Sequence, residues 1–210
     1  MTVDPALTAF ADEFAGEDDI LLAARDAADE WGVDALSPGT GATLTVIARA
    51  CNARAVVEIG TGVGVSGVYL VRGMAPGGIL TSIDVEPEHH RSARATFAAA
   101  GFAPERTRLI TGRALDVLPR LTDAGYDLVL VDGRRTEFPD YVEQAVRLTR
   151  AGGIIVMAHA LGHGRVADPT QRDPETTAIR EAVRAVRGAE GLTACLVPVG
   201  DGLLIASVDA

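Results

Sequence analysis

Five short runs rich in β-branched residues recur along this 210-residue chain with helix-like segments between them, and this alternation restricts the fold more than any other feature. The runs are "AVVEIG" (55–60), "GILTSID" (78–84), "TRLITG" (107–112), "YDLVLVD" (126–132) and "GGIIVMA" (152–158). Each has the length and composition of a buried strand. Between them, "PEHHRSARATFAAAG" places Pro87 at a first helical position and stops at Gly101, and "YVEQAVRLTRAGG" ends on Gly152 and Gly153. Strands joined through helices need right-handed crossovers, which produce a parallel sheet. The stretch "LTACLVPVGDGLLIASV" departs from that rhythm: two strand-like runs joined by Gly-Asp-Gly are a hairpin signal. The expectation is one α/β domain over residues 1–210, with five parallel strands and a C-terminal antiparallel pair.

Composition narrows the function classes. The chain is 48% hydrophobic, enough for a core without disulfides, yet no run approaches the roughly 18 apolar residues of a membrane span. The N-terminal stretch "MTVDPALTAFADEF" carries acids where a signal peptide needs positive charge, so a cytoplasmic location is expected. Cys51 and Cys195 read as small core residues of a reduced protein. Of the net charge of −10, most resides in residues 1–40, which hold ten acids and one arginine; the remainder is near neutral. No clustered basic face exists to meet a phosphate backbone, so neither nucleic acid nor membrane is expected as a partner. The chain contains no lysine, which excludes a lysine base or Schiff base. Ile20, Ala24, Ala27 and Trp31 make a helical stripe, with Asp18, Asp19, Asp26, Asp29 and Glu30 read mainly as solvated surface.

Ligands of open α/β sheets gather at the carboxyl ends of the strands. After the first strand comes "EIGTGVGVSG", whose Gly60, Gly62 and Gly64 permit a tight turn close to a ligand, with Ser66 opening the next helix. The spacing lacks the G-x-G-x-x-G frame suited to a dinucleotide pyrophosphate. Asp84, 24 residues beyond Gly60 at the end of the second strand, is placed to accept ribose hydroxyls. With Glu58 nearby, two acids suit a nucleoside with a cationic tail better than a dinucleotide. His89 and His90 are expected to face solvent, and "HALGH" lacks the glutamate of a helical zinc motif.

The segments "VVEIGTGVGVSG", "LTSIDVEPEH", "GRALDVLPRL", "YDLVLVDGRR" and "GGIIVMAHALGHGRVAD" together resemble, in order, the class I S-adenosylmethionine-dependent O-methyltransferases, in the bacterial branch related to catechol and caffeoyl-coenzyme A O-methyltransferases. The resemblance covers about residues 17–208. It implies a Rossmann-like seven-stranded sheet with helices on both faces, and residues 1–53 as N-terminal helices covering the cofactor and substrate side. It also implies S-adenosylmethionine as cofactor, a small-molecule acceptor and a homodimer, for which the stripe through Trp31 is one candidate contact. By position, Gly60 and Thr61 would face the methionine part of the cofactor, with Glu58 and Ser66 beside it. Asp84 would hold the ribose, Ala114 would lie by the adenine, and Leu36 would supply the N-terminal contact. Asp132 would approach the methionine end.

One departure from the family stands out. Its fourth strand usually ends in Asp-x-Asp-Lys and its fifth in Asp-Asn, which together hold a divalent cation; here the positions read Asp132-Gly133-Arg134-Arg135 and Ala158-His159. The residues left for catalysis are Asp132, His159 and Arg135, with no metal expected. Arginine does not deprotonate near neutral pH, so Arg135 is read as a stabiliser of developing negative charge or a grip on an acidic substrate. An imidazole is mostly neutral at working pH, so His159 can be a base, the plain alternative being a structural histidine at a strand end. The expected activity is methylation of a small hydroxylated aromatic or acidic molecule. Alternatives are an S-adenosylmethionine binder that has lost catalysis, a methyltransferase with a nitrogen or sulfur acceptor, and an NAD-linked oxidoreductase.

Overall fold

The computed structural model describes residues 5–209. Three helices come first: α1 (Pro5–Ala15), α2 (Asp19–Trp31) and α3 (Pro38–Ala50). Then follow β1 (Ala55–Ile59), α4 (Val65–Gly73), β2 (Ile79–Asp84), α5 (Pro87–Ala99), β3 (Thr107–Thr111), the single turn α6 (Ala114–Val117) and β4 (Tyr126–Val131). The chain continues with α7 (Phe138–Leu148), β5 (Thr149–Met157), α8 (Pro174–Gly188), β6 (Leu192–Val197) and β7 (Leu203–Val208). These strands form one seven-stranded sheet in the order β3-β2-β1-β4-β5-β7-β6. The first five are parallel; β7 runs antiparallel between β5 and β6. Strand alternation splits the core in two. Val56, Leu128 and Leu130 face Leu44, Leu70 and Phe97, whereas Val57, Val129 and Val131 face Leu118, Phe138 and Ile179.

Several expectations need correction. The helix expected to run to Gly152 and Gly153 ends at Leu148. Thr149 and Arg150 already belong to β5, through an irregular register with β4. Asp127 explains this entry: its carboxylate accepts the backbone N–H groups of Arg54 and Ala55 and pairs with Arg150 at 2.7 Å. Of the expected α2 stripe, Ala24 is buried and Ala27 packs partly against the core, but Leu21 and Ala28 are buried in place of Ile20 and Trp31, because α2 packs against α4 and α5. Trp31 is half exposed, with its ring edge-on to His89. Asp18 is the N-cap of α2 and pairs with Arg72, so it is not simply solvated surface. Cys51 is half-buried against the core, but Cys195 is not a core residue: it is exposed on the edge strand β6. The other edge strand, β3, is likewise only partly covered.

Candidate active site

The sheet reverses its winding between β1 and β4, and the pairing of Ile59 with Val131 brings the residues that follow each strand side by side. Asp132 donates its N–H to the Ile59 carbonyl at 2.8 Å. Gly60 sits at φ +97°, and a Cβ there would collide with the Asp132 carbonyl, so this crossing admits only glycine. Sheet order then fixes the sequence of groups along the carboxyl edge: Ala114 beyond β3, Asp84 at β2, Gly60 beyond β1, Asp132 beyond β4 and His159 beyond β5. All five line one cavity of about 710 Å³. That is within the roughly 300–1,000 Å³ of small-molecule sites. Leu36, Thr61, Ser66 and Arg135 line it too. The site residues expected from sequence are thus brought together, with one exception.

The exception is Glu58. It is fully buried behind the cavity wall, with one carboxyl oxygen accepting from Ser66 at 2.6 Å and the other from Ser82. Burial pushes its carboxyl up to about 8, against the pull of both serine hydroxyls. Ser82 continues to Thr61 at 2.6 Å, Thr61 to His90 Nε2 at 3.1 Å, and His90 Nδ1 to Thr111 at 2.8 Å. His90 is therefore not solvent-facing but buried, and burial lowers its pKa. It lies in the first turn of α5, where the helix rests on the sheet edge and a polar ring finds threonine partners. His89 Nδ1 stands 3.2 Å from Asp84, whose carboxylate also accepts the N–H groups of Gly62 and Glu86 at 2.9 Å each.

At the other end, His159 is buried in the left-handed region at φ +53°. Its Nδ1 lies 3.3 Å from Asp201 and its Nε2 3.4 Å from Asp132. Burial pulls its pKa down, but the Asp201 hydrogen bond and the Asp132 charge outweigh that and leave it raised above 6.5. Burial pushes Asp132 up to about 6, with His159 and Arg135 acting in the opposite direction. The guanidinium of Arg135 is paired with Asp34, so it is neither solvated nor free to grip a substrate in this arrangement. Asp34 also stands 3.6 Å from His163. Asp34 and Asp201 were invisible as site residues in the sequence. One follows a helix C-terminus and the other sits in a Gly-Asp-Gly turn, both ordinary places for a solvated aspartate.

The cation of the family pattern does not fit these residues. Ala158 is fully buried and offers a methyl group where a carboxylate is needed, and the next donor is an imidazole. Among the described residues no group of three His, Cys, Asp or Glu side chains is arranged to hold a metal ion. Hard divalent cations take oxygen ligands, and the positions of the family pattern supply one carboxylate, Asp132, and an imidazole nitrogen, while the nearby carboxylates of Asp34 and Asp201 are engaged by Arg135 and the His163 N–H.

Comparison with known proteins agrees with the geometry. The sequence profile of the O-methyltransferase family matches residues 20–208. A Mycobacterium tuberculosis relative named "Probable O-methyltransferase" is 50% identical over 204 residues, covering 97% of this chain and 91% of the relative. The O-methyltransferase TomG of Streptomyces achromogenes, involved in tomaymycin synthesis and solved with S-adenosylmethionine, superposes with a TM-score of 0.89 at 30% identity, covering 100% of both chains. An O-methyltransferase of Bacillus cereus, solved with S-adenosylhomocysteine, gives 0.87 at 26% identity over 97% of each chain. This chain belongs to the S-adenosylmethionine-dependent O-methyltransferase family.

Proposed function

We propose that this chain binds S-adenosylmethionine along the carboxyl edge of β1 and β2 and passes its methyl group to the oxygen of a small hydroxylated aromatic or acidic molecule, with His159 as base and without a divalent cation. Asp84 accepts the ribose hydroxyls, Ala114 and Leu36 flank the adenosine, and Gly60, Thr61 and Ser66 cradle the methionine end. Glu58 acts on the cofactor only through Ser66, whose hydroxyl it holds. Asp132 places negative charge by the sulfonium. The observation that carries the reading is the shared cavity: the glycine turn, the β2 carboxylate and a buried imidazole all line it.

Methyl transfer from a sulfonium is an in-line displacement, so holding two reactants in register supplies much of the rate. The acceptor must also lose its proton. A phenol of pKa ~10 against a histidine of ~6.5 leaves about 3.5 units, or roughly 4.8 kcal/mol uphill. The carboxylates around His159 raise its pKa and narrow that gap. Calorimetry with S-adenosylmethionine, S-adenosylhomocysteine and NAD, followed by a methyl-transfer screen over hydroxylated benzoic and cinnamic acids, tests the reading. Binding of NAD in preference to the sulfonium cofactor would overturn it. Binding of the sulfonium cofactor with no transfer to any oxygen acceptor would favour the non-catalytic alternative. A homodimer in the cytoplasm completes the proposal; among the described residues no helix is long and apolar enough to cross a membrane.

A further inference from the structure

The turn Gly200-Asp201-Gly202 joins β6 to β7, and in sequence it signals a hairpin and nothing more. In the structure it is docked against the reaction centre. Leu161 donates its N–H to the Asp201 carbonyl at 2.9 Å and Ala160 to the Gly202 carbonyl at 3.0 Å, which ties the loop after β5 to the turn. Gly202, at φ +87°, permits the approach, since a Cβ there would run into Leu161. The Asp201 side chain is only 13% exposed. One of its oxygens accepts the His163 N–H at 2.5 Å, and the other lies 3.3 Å from His159 Nδ1.

A carboxylate can only accept, so the contact puts the proton of His159 on Nδ1. Asp34 is the rival partner, but it stands 3.8 Å from Nδ1, is half exposed and is already paired with Arg135. A carboxylate also faces the second nitrogen, Asp132 at 3.4 Å from Nε2, but it makes no hydrogen bond there, and Nε2 is buried without a hydrogen-bond partner. A left-handed backbone strains a non-glycine residue, and structures keep such strain where the surroundings over-determine it, often at functional sites. The docked turn is what over-determines His159 here.

We propose that Asp201 is a positioning residue for methyl transfer, fixing His159 as the Nδ1–H tautomer so that the Nε2 lone pair receives the acceptor's proton. The inference rests on the reading of His159 as base and adds the group that makes it one. The acceptor O–H gives its proton to Nε2 while the oxygen bonds to the methyl carbon. The C–S bond breaks, and its electron pair stays on sulfur. The imidazolium then stands between the carboxylates of Asp201 and Asp132, and its proton leaves to solvent with product release. The division of labour parallels the histidine-orienting aspartate of serine proteases.

The test compares wild type, Asp201→Asn and His159→Ala by kcat and KM with the best acceptor among the hydroxylated benzoic and cinnamic acids and by calorimetric S-adenosylmethionine affinity, with nitrogen-15 shifts of wild-type His159 followed to the alkaline plateau of its titration, where the ring is neutral. The amide oxygen of Asn can still accept the His163 N–H, so the turn should hold. The expected result is a kcat lower by about a hundredfold or more in Asp201→Asn, with KM and cofactor affinity within about threefold and an Nδ1–H tautomer in wild type. Unchanged kcat in Asp201→Asn beside an inactive His159→Ala would overturn the role of Asp201 and leave the base in place. Wild-type turnover in His159→Ala would instead overturn the base. An Nε2–H tautomer in wild type would overturn the positioning role even if Asp201→Asn failed to fold.

Discussion

Asp84 and Glu58 are both acids beside the glycine turn, yet their surroundings assign them opposite work. Asp84 lines the cavity; its Oδ1 already meets the Glu86 N–H and His89, whereas Oδ2 receives only the Gly62 N–H and keeps acceptor capacity. Replacing it by alanine should weaken S-adenosylmethionine binding by about ten- to a hundredfold, the equivalent of roughly 1.5–3 kcal/mol for a charge-assisted contact. Calorimetry reads this directly, and an unaltered dissociation constant would remove the ribose role. Glu58 is sealed off, with a folded pKa of about 8 against 4.5 for a free carboxyl. The folded state thus keeps a proton that the unfolded chain releases, so this group's contribution to stability falls as pH rises from about 4.5 to about 8. Glu58→Gln lacks that slope. Its melting temperature relative to wild type should climb across this window while cofactor affinity changes little; a constant offset would show that Glu58 is charged in the native protein.

The loop between α2 and α3 carries the next prediction. Gly32 to Leu36 line the cavity, and Asp34 ties this loop to Arg135, which follows β4. Asp34 is half exposed, and exposed ion pairs contribute about 0–1 kcal/mol, so Asp34→Ala should barely alter the melting temperature. Stopped-flow measurement should nevertheless show cofactor release accelerated several-fold, because the tie across the cavity is gone; an unchanged release rate would mean that the loop does not retain the ligand. Legibility in sequence divides along similar lines. All seven strands were readable because β-branched runs and glycine punctuation are local signals. The entry of β5 was not, since it depends on Asp127, a residue 22 positions before Thr149 that reaches across the sheet. In the α2 stripe Ala24 was read correctly, but Ala28 was missed because Ala27 and Ala28 are equally apolar and only packing on α4 and α5 buries the one more deeply.

The complete subunit shows the same boundary between local and distant causes. Asp84, Asp132 and His159 could be picked out because each lies at or just beyond the carboxyl end of a strand, and those ends converge in a parallel sheet. His90, Asp34 and Asp201 could not, because their partners come from elsewhere in the chain: Thr61, Arg135 and His159. Assembly is still less legible. The outward side of α1 leaves Leu7, Phe10 and Phe14 exposed, apolar area of the kind that a homodimer covers. Light scattering at micromolar concentration should give the mass of two chains of 21.8 kDa each, and a monomer would reject the dimer.

Oxygen methylation is proposed here to run on an imidazole at the corner where the resemblance in sequence implied a cation. Turnover of S-adenosylmethionine with the best acceptor from the screen, measured with and without chelator across pH, examines it most directly. Turnover should survive chelation, rise as pH passes the His159 ionisation above 6.5, and be lost in His159→Ala. Turnover that vanishes with chelator and returns with magnesium would contradict it and make Asp132 a metal ligand.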